Sequence, residues 1–120
     1  MIVHVCGTMG SGKTTLVRTF MAGGGRPWTS ITLAGRRLPI GYTTTDGPQL
    51  VVAGAYEDGL QTSGCDTFKD TPATYAMTQG WAERGASVLY EGLFMMNHTR
   101  GLALARAVGV ERMTVLRLTA

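Results

Sequence analysis

A chain of 120 residues with 44% apolar residue types makes one domain, residues 1–120, with one sizeable core. Charged residues are 16% and the net charge is +3, which excludes a charge-driven disordered chain and a dedicated nucleic-acid coat but suits anionic ligands. The apolar runs are too short for a membrane span, and Met1–Cys6, interrupted by His4 and ended by Gly7, is no signal peptide, so a cytoplasmic protein is expected.

Met1–Cys6 is short, β-rich and bounded by glycine, and predicts a buried parallel strand. A glycine-rich turn, Gly7–Gly12, follows it. Lys13 to Met21 has helical spacing, with Leu16, Val17 and Phe20 on one side and Arg18 turned away, and Gly23-Gly24-Gly25 ends it. Trp28–Leu33 and Leu38–Tyr42 predict two short strands joined through Gly35-Arg36-Arg37, compatible with a local antiparallel hairpin. Thr43–Pro48 is turn material, and Gln49–Tyr56 is another strand candidate. Glu57 to Asp70 is a loop of functional length. Thr71 to Arg84 predicts a helix, with Thr71 as N-cap, Pro72 at the first helical position and Gly85 beyond the end. Ala86–Glu91 is a strand ending in an acid, Asn97–Val108 a helix closed by Gly109, and Met113–Leu118 a last strand. Strands alternating with helices predict an α/β layered fold with a mainly parallel sheet. Two cysteines, Cys6 and Cys65, make neither a disulfide framework nor a metal spacing, and are expected as buried thiols.

Gly7-Thr8-Met9-Gly10-Ser11-Gly12-Lys13-Thr14 matches G-x-x-x-x-G-K-[ST] in full. Each fixed position has a physical reason. Glycines let consecutive backbone N–H groups curl around phosphate oxygens. The helix starting at Lys13 points its positive end at the same anion. Lys13, one of two lysines in the chain, supplies a cation for the β- and γ-phosphates, and Thr14 offers a hydroxyl to Mg²⁺. Thr15 is placed to reach the α-phosphate. The nucleotide-binding set is therefore Gly7, Met9, Gly10, Ser11, Gly12, Lys13, Thr14 and Thr15.

On this motif the chain resembles the P-loop nucleoside triphosphatases, and among them the nucleotide-kinase-like group. The resemblance covers most of the chain in layout. It implies a three-layer P-loop fold with a mainly parallel sheet, ATP or GTP as nucleotide, and Mg²⁺. Such enzymes need a carboxylate at a neighbouring strand end to hold the Mg²⁺ water shell. Val88-Leu89-Tyr90-Glu91-Gly92 has that form and is similar to the strand-Glu-Gly variant of several small-molecule kinases. Glu91 is thus a candidate metal-site and catalytic residue, against the alternative of a solvated strand-end acid. Asp66, in Ser63-Gly64-Cys65-Asp66-Thr67, would suit the acceptor of the substrate hydroxyl proton, against an Asx-turn that ties the loop. Asp70 is read as a cap for the Thr71 helix, and Glu57 and Asp58 as solvated.

Tyr56, Phe68 and Tyr75 could stack a base or sugar, with core packing the default for each. His4 reads as a core or rim histidine, His98 as a cap or surface residue, and Met95-Met96 as core. Arg26, Arg36 and Arg37 form a small basic concentration that suits a solvated turn better than acceptor phosphate or nucleic acid. In the nucleotide-kinase-like group the chain continues past the fourth strand into an arginine-bearing lid and a fifth strand. This sequence stops at Leu118-Thr119-Ala120, so the expectation is a fold truncated after the fourth core strand, inactive if a transition-state arginine is missing.

The leading functional expectation is a P-loop kinase: phosphoryl transfer from ATP to a hydroxyl or phosphate on a nucleoside or nucleotide acceptor, with Lys13, Asp66 and Glu91 as catalytic residues. Gly54-x-Tyr56, Cys65-Asp66-Thr67 and Tyr90-Glu91-Gly92-Leu93 also look like P-loop kinases of bacteriophages, some of which phosphorylate hydroxymethyl-pyrimidines in DNA. That resemblance implies a modified-DNA acceptor and a host cytoplasm. The alternatives are a P-loop ATPase and a non-catalytic nucleotide-binding module.

Overall fold

The computed structural model describes residues 1–7, 11–45, 49–58, 60, 64–68, 70–91 and 98–118. Its elements run β1 (Ile2–Gly7), α1 (Lys13–Ala22), β2 (Trp28–Ile31), β3 (Gly41–Thr44), β4 (Leu50–Ala53), α2 (Thr71–Glu83), β5 (Ser87–Glu91), α3 (His98–Val108) and β6 (Met113–Leu118), with short 3₁₀ turns at Gly23–Gly25, Cys65–Thr67 and Val110–Arg112. No helix among the described residues is long and apolar enough to cross a membrane.

Six strands form one mixed, mostly parallel sheet in the order β2-β3-β4-β5-β1-β6. The pairs β4/β5, β5/β1 and β1/β6 are parallel. The pairs β2/β3 and β3/β4 are antiparallel, so the basic turn does join a hairpin. The second hairpin strand lies later than the Leu38–Tyr42 expectation, and Thr43 and Thr44, expected in a turn, belong to it. Pro39 has no N–H to give a ladder and restricts Leu38 before it. Pairing therefore starts with the Ile40 N–H donating to the Ile31 carbonyl (2.8 Å) and runs on through β-branched Thr43 and Thr44.

The chain direction across the sheet decides where the helices go. From β4 through α2 to β5, and from β5 through α3 to β6, the chain advances one way, passing β1. From β1 through α1 and the hairpin to β4 it travels the opposite way. Right-handed crossovers then put α2 and α3 on one face and α1 on the other. Two buried clusters match this. Ile2, Val51, Val88, Tyr90, Tyr75, Trp81 and Leu104 pack between the sheet and α2 and α3. Val17, Tyr42, Val52 and Tyr56 form the smaller cluster on the α1 face.

Of the two capping expectations for α2, one is corrected and one is borne out. Asp70, not Thr71, is the N-cap of α2: its Oδ1 accepts from the Ala73 N–H at 3.1 Å, and Thr71 is the first helical residue. Of the three apolar residues on one side of α1, only Val17 is buried, whereas Leu16 and Phe20 are 39% and 41% exposed. They line an apolar cleft of about 290 Å³ with Val3, Val5, Leu89 and Leu116. β6 pairs with β1 alone among the described strands and leaves Leu116 exposed on the α1 face and Val115 exposed on the other.

Candidate active site

β1 and β5 are parallel neighbours, with Val5 opposite Glu91 at their carboxyl ends. From that point β1 runs on to α1 on one face, while β5 runs on to α3 on the other. Strand ends at which the chain diverges in this way leave a crevice open to ligands.

Alternation along β5 aims the acid. Tyr90 turns into the α2–α3 cluster, so Glu91, one residue on, turns to the α1 face. There the Thr14 hydroxyl, in the first turn of α1, donates to Glu91 Oε1 at 3.3 Å. The strand-end acid and the helix-start hydroxyl, 77 residues apart in sequence, thus meet. Glu91 is buried, at 2% exposure, and so not the solvated acid of the alternative reading. Burial pushes its carboxyl above the usual carboxylate range, with the Tyr56 hydrogen bond pulling down and the Asp66 charge pushing up.

Lys13 is also buried, and its ammonium donates to the Gly7 carbonyl at 2.9 Å. α1 begins after Gly12, which has no side chain and makes no side-chain cap. Ser11 Oγ is buried with no hydrogen-bond partner among the described residues. Thr15 is exposed on the same first turn. Met9 and Gly10, expected in the cradle, lie outside the described residues, as does Gly92 after Glu91.

Asp66 is half-buried in the 3₁₀ turn Cys65–Thr67, and the Glu91, Tyr56 and Cys65 side chains all sense its charge. The turn is laid directly on Glu91 by two glycines. Gly54 (φ 104°) and Gly64 (φ 70°) both adopt left-handed backbone. Their backbones cross so closely that a Cβ on Gly54 would overlap the Gly64 carbonyl carbon, and a Cβ on Gly64 would lie 2.5 Å from Glu91 Oε1. An antiparallel bridge holds the crossing, with the Gly64 N–H donating to Ala55 O (2.8 Å) and the Ala55 N–H to Gly64 O (3.3 Å).

This crossing is testable against Gly85, which shares a left-handed φ of 95° but has open space around it. Gly85→Ala is expected to cost only backbone strain, about 1–2 kcal/mol. Gly64→Ala adds a clash with backbone and a buried carboxylate, and is expected to cost about 2–4 kcal/mol in denaturant unfolding. Equal costs would show that the crossing tolerates a side chain.

Sequence reasoning missed the group that holds Glu91. The Tyr56 hydroxyl donates to Glu91 Oε1 at 2.9 Å, and the Tyr56 N–H donates to the Tyr42 hydroxyl at 2.8 Å. Burial, then the Glu91 charge, pushes the Tyr56 phenol well above its ordinary value, so it stays a donor. Tyr56 is a buried positioning group rather than a stacking platform. Gly54-x-Tyr56 marked the place but not the partner.

The other candidates fall outside this cluster. Tyr75 is core, and Phe68 is half-buried. His4 is buried and stacked on Tyr90 with centroids 4.4 Å apart, and burial lowers its imidazole to about 4, so it is neutral at pH 7. Cys6 and Cys65 are buried free thiols, as expected. Glu57 and Asp58 are exposed. Arg26 and Arg37 are exposed as a solvated turn requires, but Arg36 is half-buried against the Cys65–Thr67 turn. Met95-Met96 and the side chain of His98 lie outside the described residues. The apolar cleft beside α1 has almost no polar lining and offers nothing to a triphosphate.

Hard oxygen donors suit Mg²⁺, which takes one or two protein oxygens and completes its shell with water and phosphate. The Thr14 hydroxyl and the Glu91 carboxylate are such a pair, beside an ammonium and uncapped helix amides. The residues present therefore fit a magnesium–nucleotide complex.

Comparison with known proteins bears on this geometry. The chain is 30% identical over 119 residues to a 5-hmdU DNA kinase of Pseudomonas phage PaMx11, an alignment covering 98% of this chain and 61% of that protein. That relative is a distant homologue, and the chain spans about three fifths of its length. No protein-family model matches the chain, and no solved structure matches it.

Proposed function

We propose that the chain carries the phosphate-binding and acceptor-facing part of a P-loop kinase that transfers a phosphoryl group from a nucleoside triphosphate, ATP in the first instance, to the hydroxyl of a hydroxymethylated pyrimidine in DNA. The observation that carries this reading is the meeting of Thr14 with Glu91 beneath the Asp66 turn. A homologue that is a 5-hmdU DNA kinase favours modified DNA over a free nucleoside or nucleotide as acceptor.

Each residue has a task in this reading. The Lys13 ammonium and the α1 amides bind the phosphates, where no strong covalent chemistry is asked of the protein. The Thr14 hydroxyl and Glu91 carboxylate would hold Mg²⁺, which when bound neutralises charge on the phosphate oxygens. Tyr56 fixes the Glu91 carboxyl. Asp66 takes the proton of the acceptor hydroxyl as its oxygen bonds the γ-phosphorus and the bond to the β-phosphate oxygen breaks, releasing the nucleoside diphosphate.

The test is transfer of label from γ-labelled ATP to an oligonucleotide containing 5-hmdU, beside a thymine-matched oligonucleotide and free nucleosides and nucleotides. Label on the modified oligonucleotide alone is the expected result. Label on a free nucleoside or nucleotide alone would return the acceptor to a small molecule, and phosphate release with no acceptor would indicate an ATPase. Asp66→Asn is expected to leave ATP binding intact and to slow transfer about 10²–10⁴-fold. Full transfer in that variant would reduce Asp66 to a loop tie.

A further inference from the structure

Resting on that reading, we infer that Arg36 is a positioning residue for the acceptor side of the site, bracing the turn that presents Asp66. The arginine comes from the β2–β3 connection, remote in sequence from the site. Its own N–H closes a tight turn to the Leu33 carbonyl at 3.1 Å. The guanidinium then spans 31 residues of sequence: Nη2 donates to the Thr67 carbonyl at 3.2 Å and to Thr67 Oγ1 at 3.4 Å. Its centre lies 4.7 Å from the centroid of the Phe68 ring. Arg36 Nε is buried with no partner among the described residues, so the group is partly desolvated to reach this turn.

The turn is therefore held at both ends. Gly64 is pinned by its backbone bridge to Ala55 and abuts the Glu91 carboxylate. Thr67 and Phe68 are pinned by Arg36, and Thr67 Oγ1 passes the constraint back by donating to the Gly64 carbonyl at 2.8 Å. Asp66 sits between the two anchors. Among the described residues the Arg36 guanidinium reaches Thr67 and Phe68, not Lys13 or Thr14 on the nucleotide side of the site. Loss of this brace should therefore act on the acceptor step and spare the nucleotide. A displacement of about 1 Å in a reacting group is enough to slow transfer about 100-fold.

The experiment compares wild type, Arg36→Ala and Arg36→Lys in the full chain by two readouts. Hydrogen exchange reports the turn: the Thr67 and Phe68 amides, which donate to Gly64 O and Cys65 O, are expected to exchange about 10-fold faster in Arg36→Ala while β1 and β5 amides stay as in wild type. Transfer kinetics report the function: kcat for the modified oligonucleotide is expected to fall about 10–100-fold with the KM for ATP within about twofold. Lysine keeps a cation but not the planar guanidinium over Phe68, so Arg36→Lys is expected to fall between the two. Unchanged exchange in the turn overturns the brace. Unchanged kcat, or faster exchange throughout the sheet in Arg36→Lys with ATP KM rising in step, overturns the positioning role. Should wild type transfer phosphate to no acceptor, the proposed function fails while the exchange result still decides whether Arg36 braces the turn.

Discussion

Replacing Lys13 by alanine is expected to lower phosphoryl transfer about 10²–10³-fold or more, the cost of removing one preorganised charge from the transition state. The ammonium is buried and already oriented, donating to the Gly7 carbonyl at the end of β1. A phosphate entering over the start of α1 would exchange a neutral carbonyl partner for an anion, and charge-assisted hydrogen bonds are about twice as strong as neutral ones. Nothing else described on α1 can substitute, since Arg18 is turned toward the Glu57 carbonyl, 3.4 Å away. Lys13→Met separates binding from folding, because it keeps the buried aliphatic stem and removes only the charge. Titration with ATP and with ADP, alongside thermal melts, checks the prediction. A methionine variant that melts like wild type and binds ATP as tightly would remove the anion site from this part of the fold.

Glu91→Gln is expected to move activity and stability in opposite directions. Transfer should fall about 10²–10³-fold, the scale on which a single electrostatic group in a dry site is felt. Stability at neutral pH should rise. Burial holds the Glu91 carboxyl above its ordinary value of 4.5, so the unfolded chain gives up this proton more readily than the folded one. The contribution of neutral Glu91 is therefore fully present below about pH 4.5 and is lost as pH rises through the higher folded value. Glutamine cannot ionise, yet its carbonyl can still accept from Tyr56 and Thr14. The expected signature is a variant with a higher melting temperature than wild type at pH 7, the gap closing as pH falls below 4.5. A variant less stable than wild type at pH 7 would mean that the buried charge is compensated more fully than its three neighbours Tyr56, Thr14 and Lys13 imply. A carboxylate retained at a cost in stability is what a functional group in a water-poor crevice looks like.

Much of the frame was legible because its signals are local. The strand before Gly7, the helix after Gly12, the β5 run ending in Glu91 and the last strand all announce themselves by apolar patterning, closed by glycine in every case but the last. Boundaries slipped where two local rules competed. At α2, Thr71 and Asp70 are both good caps, and Asp70 prevailed because its carboxylate reaches the Ala73 N–H with Pro72 inside the first turn. At β3, proline set the start and the partner strand set the end. Along α1, helical spacing says which side is apolar, not how much sheet lies beneath it, so the burial of Val17 and the exposure of Leu16 and Phe20 are not legible in it.

By itself the sequence determined the class of fold and the chemistry on offer: a glycine turn between strand and helix, a lysine and a hydroxyl at the helix start, and a carboxylate at a strand end. Those features need only neighbours along the chain, and their physics is that of short-range backbone geometry and dipoles. Only the tertiary structure decided that Thr14 meets Glu91, that Tyr56 rather than solvent holds the carboxyl, that Gly64 presses the Asp66 turn onto it, and that Arg36 braces the far end. These contacts join residues 31 to 77 positions apart in three of the four cases. Strand order and crossover direction set such contacts, and no local pattern of residues encodes either.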